Sequence, residues 1–192
     1  MGLIDLNVNL FRMINDLGKE YVSLNPIIVL IAEYALYFLI LSVFIFLFSK
    51  SKRNRLMVIC GIFTVSFAEI FGKLAGLLHS NNPPFAELAE VNKLVEKGIS
   101  NSFPSDHTMI FFSLCVMFWL FKRGWSFLWI VLACLVGFSR IWVGVHYPAD
   151  VIVGAVISII SALIVYKFVP QLSFMKKRFG SQTLKSSNHI EL

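Results

Sequence analysis

In a chain of 192 residues, 57% of the side chains are hydrophobic, 19 are phenylalanine and the mean hydropathy is +0.77. A soluble domain of that length has too little interior to hide so much apolar surface, so an ordinary soluble globule is excluded and a one-domain integral membrane protein is indicated. The formal charge of +6 does not indicate nucleic acid, because the basic residues fall in separate clusters at the ends of apolar segments.

Taken in chain order, residues 3–17 space Leu3, Leu6, Leu10, Met13 and Leu17 by three and four, with Asp5, Asn9, Arg12 and Asp16 elsewhere on the wheel. The pattern predicts an amphipathic helix lying in the membrane interface, and 1–25 is read as an interfacial N-terminus. A helix packed in a soluble cap is the alternative. The stretch lacks a long apolar core and a small-residue cleavage site, so a removable leader is not expected.

Five spans are predicted over 26–169, each near the ~20 residues a bilayer needs: 26–48, 56–78, 105–121, 125–138 and 149–169. The third and fourth are short, as expected of spans whose outer ends stop in a polar pocket. Trp119, Trp125, Trp129 and Trp142 lie near span ends like an aromatic belt. The expected fold class is therefore all-α, a polytopic bundle of about five spans with an N-terminal amphipathic helix. Between the second and third spans, Phe85, Leu88, Val91 and Val95 have helical spacing opposite Glu87, Glu90, Lys93, Glu96 and Lys97. A short interfacial helix at the site entrance and a solvated loop helix without function both fit that spacing. Residues 170–192 form a polar tail, expected to be disordered after Phe179. Cys60, Cys115 and Cys134 fall in apolar segments and offer no disulfide framework.

The connections at 49–55 and 122–124 and the segment after 167 carry most of the basic residues, while the opposite side collects nearly all the acids. Positive residues stay inside, so these connections and the C-terminus are expected in the cytoplasm and the N-terminal helix outside. Two groups of polar residues then share the outer face: Ser105, Asp106 and His107 at one helix start, and Ser139, Arg140, His146 and Asp150 around another. Ionisable groups at membrane boundaries are expensive and mark function by default.

His146 and Asp150 are four positions apart, across a Tyr147-Pro148 break that starts the fifth helix. A carboxylate one turn away can hold one imidazole nitrogen and leave the other free to attack; a histidine satisfied by a capping aspartate is the bland reading. His107 follows two good N-cap residues, where first-turn amides offer an anion site and an imidazole can act as general acid. Alternatively it faces headgroups. Arg140 interrupts an apolar stretch and demands an anionic partner, either a phosphate or Asp106 or Asp150. Lys73 is either a phosphate ligand or the partner of Glu69 one turn earlier.

Together these residues resemble the type 2 phosphatidic acid phosphatase superfamily, most of all the bacterial undecaprenyl pyrophosphate phosphatases of the bacitracin-resistance type. The family's Pro-Ser-x-His motif is matched by Pro104 to His107, and its Ser-Arg, five residues, His, three residues, Asp motif by Ser139, Arg140, His146 and Asp150. The likeness spans roughly residues 56–169. It implies an enzyme in which His146 is the nucleophile, Asp150 orients it, His107 is the general acid, and Ser105 and Arg140 hold the phosphate. It further implies a polyprenyl pyrophosphate substrate, no metal or other cofactor, a bacterial plasma membrane and a site on the outer face. A broader lipid phosphatase acting on phosphatidic acid or phosphatidylglycerol phosphate fits the same motifs, which read phosphate and not tail. A non-catalytic lipid-phosphate binder or transporter is the alternative of another class. Two departures stand out. The family's first motif, a lysine, six residues and Arg-Pro, is degraded: Asn82-Pro83-Pro84 replaces the arginine, and Lys73 lies too far upstream. Asp106 replaces a common glycine and needs a helix cap or a cation beside a phosphate.

Overall fold

A computed structural model describes residues 2–179 and is all-helical, with no strand among them. Leu3–Asn15 (α1) is followed by the single turn Leu17–Glu20 (α2), then by the long helices Asn25–Phe48 (α3) and Lys52–Leu78 (α4). After the short Pro84–Glu87 (α5) come Asp106–Lys122 (α6), Leu128–Trp142 (α7), Pro148–Phe168 (α8) and Ser173–Phe179 (α9). Residues 180–192, which include most of the polar tail expected from the sequence, lie outside the described residues. Residues 173–179, also assigned to that tail, form α9 and bury Met175 and Phe179 in the main core.

Four stretches are long and apolar enough to cross a bilayer: Val22–Phe48, Lys52–Leu78, Gly124–Trp142 and Pro148–Gln171. The remaining predicted span, the third, is α6, whose 17 residues give about 25 Å at 1.5 Å per residue, short of a ~30 Å hydrocarbon layer. It can be short because it meets little lipid. α4, α7 and α8 pack around it, and Phe111, Met117, Phe118 and Phe121 are fully buried. Large apolar side chains instead cover the outside, Leu30, Phe44, Ile70 and Ile160 among them, as a lipid-facing surface requires. The second span starts earlier than expected, at Lys52, because Ser51 caps it by accepting from Asn54 N at 3.3 Å. The fourth runs to Trp142, so Ser139 and Arg140 lie inside α7.

The bundle has two chemically different ends. Lys50 to Arg55, Lys122, Arg123 and Lys167 gather where α3, α6 and α8 finish. There Arg53 Nη2 donates to the Phe121 carbonyl and the Arg123 guanidinium lies 4.6 Å from the Trp119 ring centroid. The other end holds the starts of α6 and α8 and the polar residues singled out above.

α1 runs across that second end. Leu3, Ile4 and Met13 are exposed, while Phe11 is buried edge-to-face on Tyr147 at 5.5 Å. Asn15, fully buried, donates to Trp142 O at 2.8 Å and Asn92 O at 3.0 Å, and accepts from Asn92 N at 2.9 Å. At 13 residues α1 is too short to cross, and its outward apolar stripe suits an interface.

The helix expected over 85–97 forms only as the single turn α5. Leu88 is extended and Glu90 has φ +54. Downstream, the backbone is engaged by tertiary partners: Asn92 N by Asn15, and Leu94 N by Val143 O at 3.2 Å. Val95 is buried with Ala32, Val143 and Val145. Burial of the apolar side chains thus comes from docking the loop on α3 and the α7–α8 turn, not from an i→i−4 ladder.

Candidate active site

His146 sits in the turn between α7 and α8. Gly144, at φ +84, makes that turn possible, and a Cβ there would lie 2.9 Å from Asn92 O. Pro148 then opens α8, and Asp150 turns back to cap it, accepting from Tyr147 N at 2.9 Å. The same carboxylate oxygen, Oδ2, accepts from Ser102 Oγ at 2.9 Å and lies 3.4 Å from His146 Nδ1, and Asn81 Nδ2 reaches Oδ1 at 3.5 Å. Both His146 and Asp150 are buried. Asp150 is therefore a helix cap whose Oδ2 also lies beside His146 Nδ1, so the two readings of the pair are compatible.

Arg140 comes from the last turn of α7. It forms no ion pair with Asp106 or Asp150 among the described residues; Nη1 donates to the Ala32 carbonyl at 3.1 Å, and the buried Nε has no partner. A buried guanidinium with donor capacity to spare suits an anion arriving from outside. Ser105, fully buried, precedes α6 and accepts from Thr108 Oγ1 at 3.1 Å, while its own N–H donates to Asp150 O at 3.1 Å. Its side chain caps none of the first-turn amides, which keep their anion-binding capacity. Gly154 lets α8 approach this turn: a Cβ there would meet Ser105 O at 3.2 Å. His107, half-buried in the same turn, is within electrostatic reach of Arg140, His146 and Lys97.

The structure thus brings Ser105, His107, Arg140, His146 and Asp150 together. Lys73 is placed differently. It is exposed on α4 and lines, with Glu69, Pro104, Asp106 and Met109, an adjoining cavity of about 460 Å³ between α4 and α6. Asp106 lines that cavity too and makes no ion pair with Arg140. Among the described residues no group of three His, Cys, Asp or Glu side chains is placed to hold a metal ion.

The PAP2 superfamily pattern matches residues 76–174, and over 175 residues the chain is 51% identical to the "Bacitracin transport permease protein BcrC" of Bacillus licheniformis, spanning 91% of this chain and 86% of that one. The chain belongs to the PAP2 superfamily. It is also 34% identical over 167 residues to the "Undecaprenyl-diphosphatase BcrC" of Bacillus subtilis (strain 168), spanning 85% of this chain and 84% of the relative. Among solved structures, the crystal structure of Aquifex aeolicus LpxE superposes with a TM-score of 0.63 at 30% identity, over 85% of this chain and 96% of that one.

Four residues around this candidate site were not among the site residues expected from the sequence: Asn81, Ser102, Tyr147 and Lys97. Tyr147 donates to Glu87 Oε2 at 3.0 Å, tying α5 to the turn that carries His146; burial, then that carboxylate, raises its phenol pKa. Lys97 Nζ lies 2.8 Å from His146 Nε2. Burial, then the charge of Arg140, lowers the Lys97 pKa from 10.5 to about 8, against the pull of Asp106 and Asp150. His146 is also lowered from its ordinary value, by burial first and by Lys97 and Arg140 as well, while Asp150 opposes the shift. A nucleophile needs an unprotonated nitrogen, and this environment favours one.

Proposed function

We propose that this protein hydrolyses undecaprenyl diphosphate to undecaprenyl phosphate and inorganic phosphate, through a phosphohistidine on His146. One observation carries the reading: a buried imidazole with Asp150 Oδ2 3.4 Å from its Nδ1, and with Arg140 and His107 within electrostatic reach beside the uncapped start of α6. The names of relatives at 34% and 32% identity, both undecaprenyl-diphosphatases, support the substrate.

In this reading the Nε2 lone pair attacks the terminal phosphorus while the phosphoanhydride P–O bond breaks. His107 gives its proton to the departing lipid phosphate, and Asp150 stabilises the Nδ1–H of the phosphorylated ring. His107 then takes a proton from water, whose oxygen attacks phosphorus; the N–P bond breaks, inorganic phosphate leaves and His146 is restored. Arg140, Ser105 and the α6 amides stabilise the equatorial oxygens. Lys73, in the adjoining cavity, contacts the second, lipid-bearing phosphate. The basic end of the bundle faces the cytoplasm of a bacterial plasma membrane, so the site opens on the outer face with the lipid tail in the bilayer between helices.

The test is phosphate release by the purified protein from undecaprenyl diphosphate and from phosphatidic acid, side by side. Turnover of the diphosphate that His146→Ala abolishes is expected. Wild-type turnover in that variant would sink the phosphohistidine. Equal turnover of both lipids would favour a broad lipid phosphatase, a reading to which the 33% identity over 103 residues with a Lipid A 4'-phosphatase of Bacteroides thetaiotaomicron lends weight.

A further inference from the structure

The atom of His146 that must attack phosphorus is covered. Lys97 Nζ stands 2.8 Å from Nε2, where a terminal phosphate would have to arrive. An ammonium has donors and no acceptor, so in this contact Nε2 accepts and the ring proton sits on Nδ1, facing Asp150. The lysine therefore selects the tautomer that the attack requires.

Its backbone is anchored before the residue and its own carbonyl accepts from Lys93 Nζ at 3.3 Å, while the residues after it are exposed. Before it, Val95 is buried with Val143 and Val145, and Leu94 N donates to Val143 O at 3.2 Å, so the loop runs beside the turn that carries His146. After it, a Cβ added at Gly98 would meet nothing within 4 Å, and residues 98–101 are exposed. The side chain can move while its origin stays beside the nucleophile. The surroundings also ask for a cation: the first-motif arginine is missing from Asn82-Pro83-Pro84, and Lys73 lies in the cavity next door. In the reading above, Arg140 is the one arginine or lysine assigned to a terminal phosphate of about two negative charges, beside Ser105 and the α6 amides.

We propose that Lys97 binds the substrate's terminal phosphate: its ammonium rests on His146 Nε2 and passes to a phosphate oxygen when the diphosphate arrives, uncovering the attacking atom and supplying the charge that the degraded first motif lacks. The inference rests on the phosphohistidine reading of the same site. No bond to Lys97 forms or breaks; it exchanges one hydrogen-bond acceptor for another. Arg140 from α7, Asp106 from α6, Asp150 from α8 and the two histidines all face this ammonium. Loss of its charge with rising pH weakens phosphate binding and leaves Nε2 no better placed.

The experiment uses the purified full chain, undecaprenyl diphosphate as substrate and orthovanadate as a phosphate-like inhibitor, with thermal unfolding recorded for each variant. Lys97→Met is expected to raise KM and weaken vanadate inhibition about 10- to 100-fold, the loss of one charge-assisted contact, with a smaller change in kcat. Lys97→Arg should restore most of both. In the wild type kcat/KM should fall as pH rises through about 8, and in Lys97→Arg that fall should be absent. Wild-type KM and vanadate inhibition in Lys97→Met would overturn the proposal, as would a Lys97→Arg variant as impaired as Lys97→Met. If Lys97→Met does not fold, the pH profile of Lys97→Arg decides alone. Activity surviving in His146→Ala is a separate outcome that removes the phosphohistidine itself.

Discussion

Replacing Asp150 separates two jobs that one carboxylate performs. Its Oδ2 accepts from Tyr147 N and Ser102 Oγ, both at 2.9 Å, and faces His146 Nδ1 at 3.4 Å. Asp150→Ala leaves two buried donors without an acceptor at about 1–3 kcal/mol each, so a stability loss of about 2–6 kcal/mol is expected. Asp150→Asn keeps one oxygen as acceptor and should lose no more than about 2 kcal/mol. Catalysis should not follow that ranking. The asparagine has no charge to stabilise the imidazolium-like ring of the phosphorylated intermediate, and its amide can face Nδ1 as a donor and impose the wrong tautomer. Turnover should therefore drop about a hundred- to ten-thousandfold in both variants. Phosphate release from undecaprenyl diphosphate measures the second effect, and thermal unfolding in the same detergent the first. Asp150→Asn within threefold of wild-type kcat would refute the role assigned to the carboxylate, whatever its melting temperature.

Other expectations follow from particular contacts. Gly144→Ala forces a Cβ into φ +84 and against Val91 and Asn92, so it should lose about 1–3 kcal/mol and lower turnover by displacing His146, read by thermal unfolding and phosphate release. Asn15→Leu leaves Asn92 N–H and the Trp142 carbonyl unpaired; a loss on the order of 2–4 kcal/mol is expected, along with faster proteolysis of the loop over 88–105. Lys73→Met removes an exposed cation and should raise KM only about two- to fivefold, well below the effect at Lys97.

What the sequence revealed and what it concealed divide along the range of the interactions. Pro104 to His107 and Ser139 to Asp150 are local patterns: a helix start and a helix-turn-helix bring their members together whatever the rest of the chain does. The long apolar runs announce the spans because a bilayer demands internal backbone hydrogen bonding and about 20 apolar residues. Lys97 could not be found that way. It meets a partner 49 positions away through a loop whose helical spacing was misleading, since Val91 and Val95 are turned inward by Asn15 and Val143 and not by an i→i−4 ladder. Asp150 likewise reads as a cap for its own helix, and its bond to Ser102 depends on how the loop before α6 folds back. The short third span was legible as a number, with a polar pocket at its outer end as the expected cause, but its burial among α4, α7 and α8 was not. Only its position at the centre of the bundle explains why 17 residues suffice.

The name of the Bacillus licheniformis relative raises transport as the rival to hydrolysis, and the distribution of charge bears on that choice. Transporters carry ionisable or broken-helix sites near mid-membrane, where a substrate can be passed from one side to the other. Here residues 34–48 of α3, 56–68 of α4, 108–121 of α6, 128–139 of α7 and 151–166 of α8 contain no charged side chain. The layer they form is filled by Phe111, Met117, Phe118, Phe121 and Val136, all fully buried. Its hydroxyls at Thr64 and Ser158 are spent on the backbone carbonyls of Cys60 and Met109. All the chemistry lies at one end, as suits a reaction on a headgroup that never leaves its leaflet. Expression of the wild type in a bacitracin-sensitive bacterium should therefore raise resistance, and His146→Ala, produced and inserted at the same level, should not. Resistance that persists in His146→Ala while phosphate release is lost would mean that export, and not dephosphorylation, protects the cell.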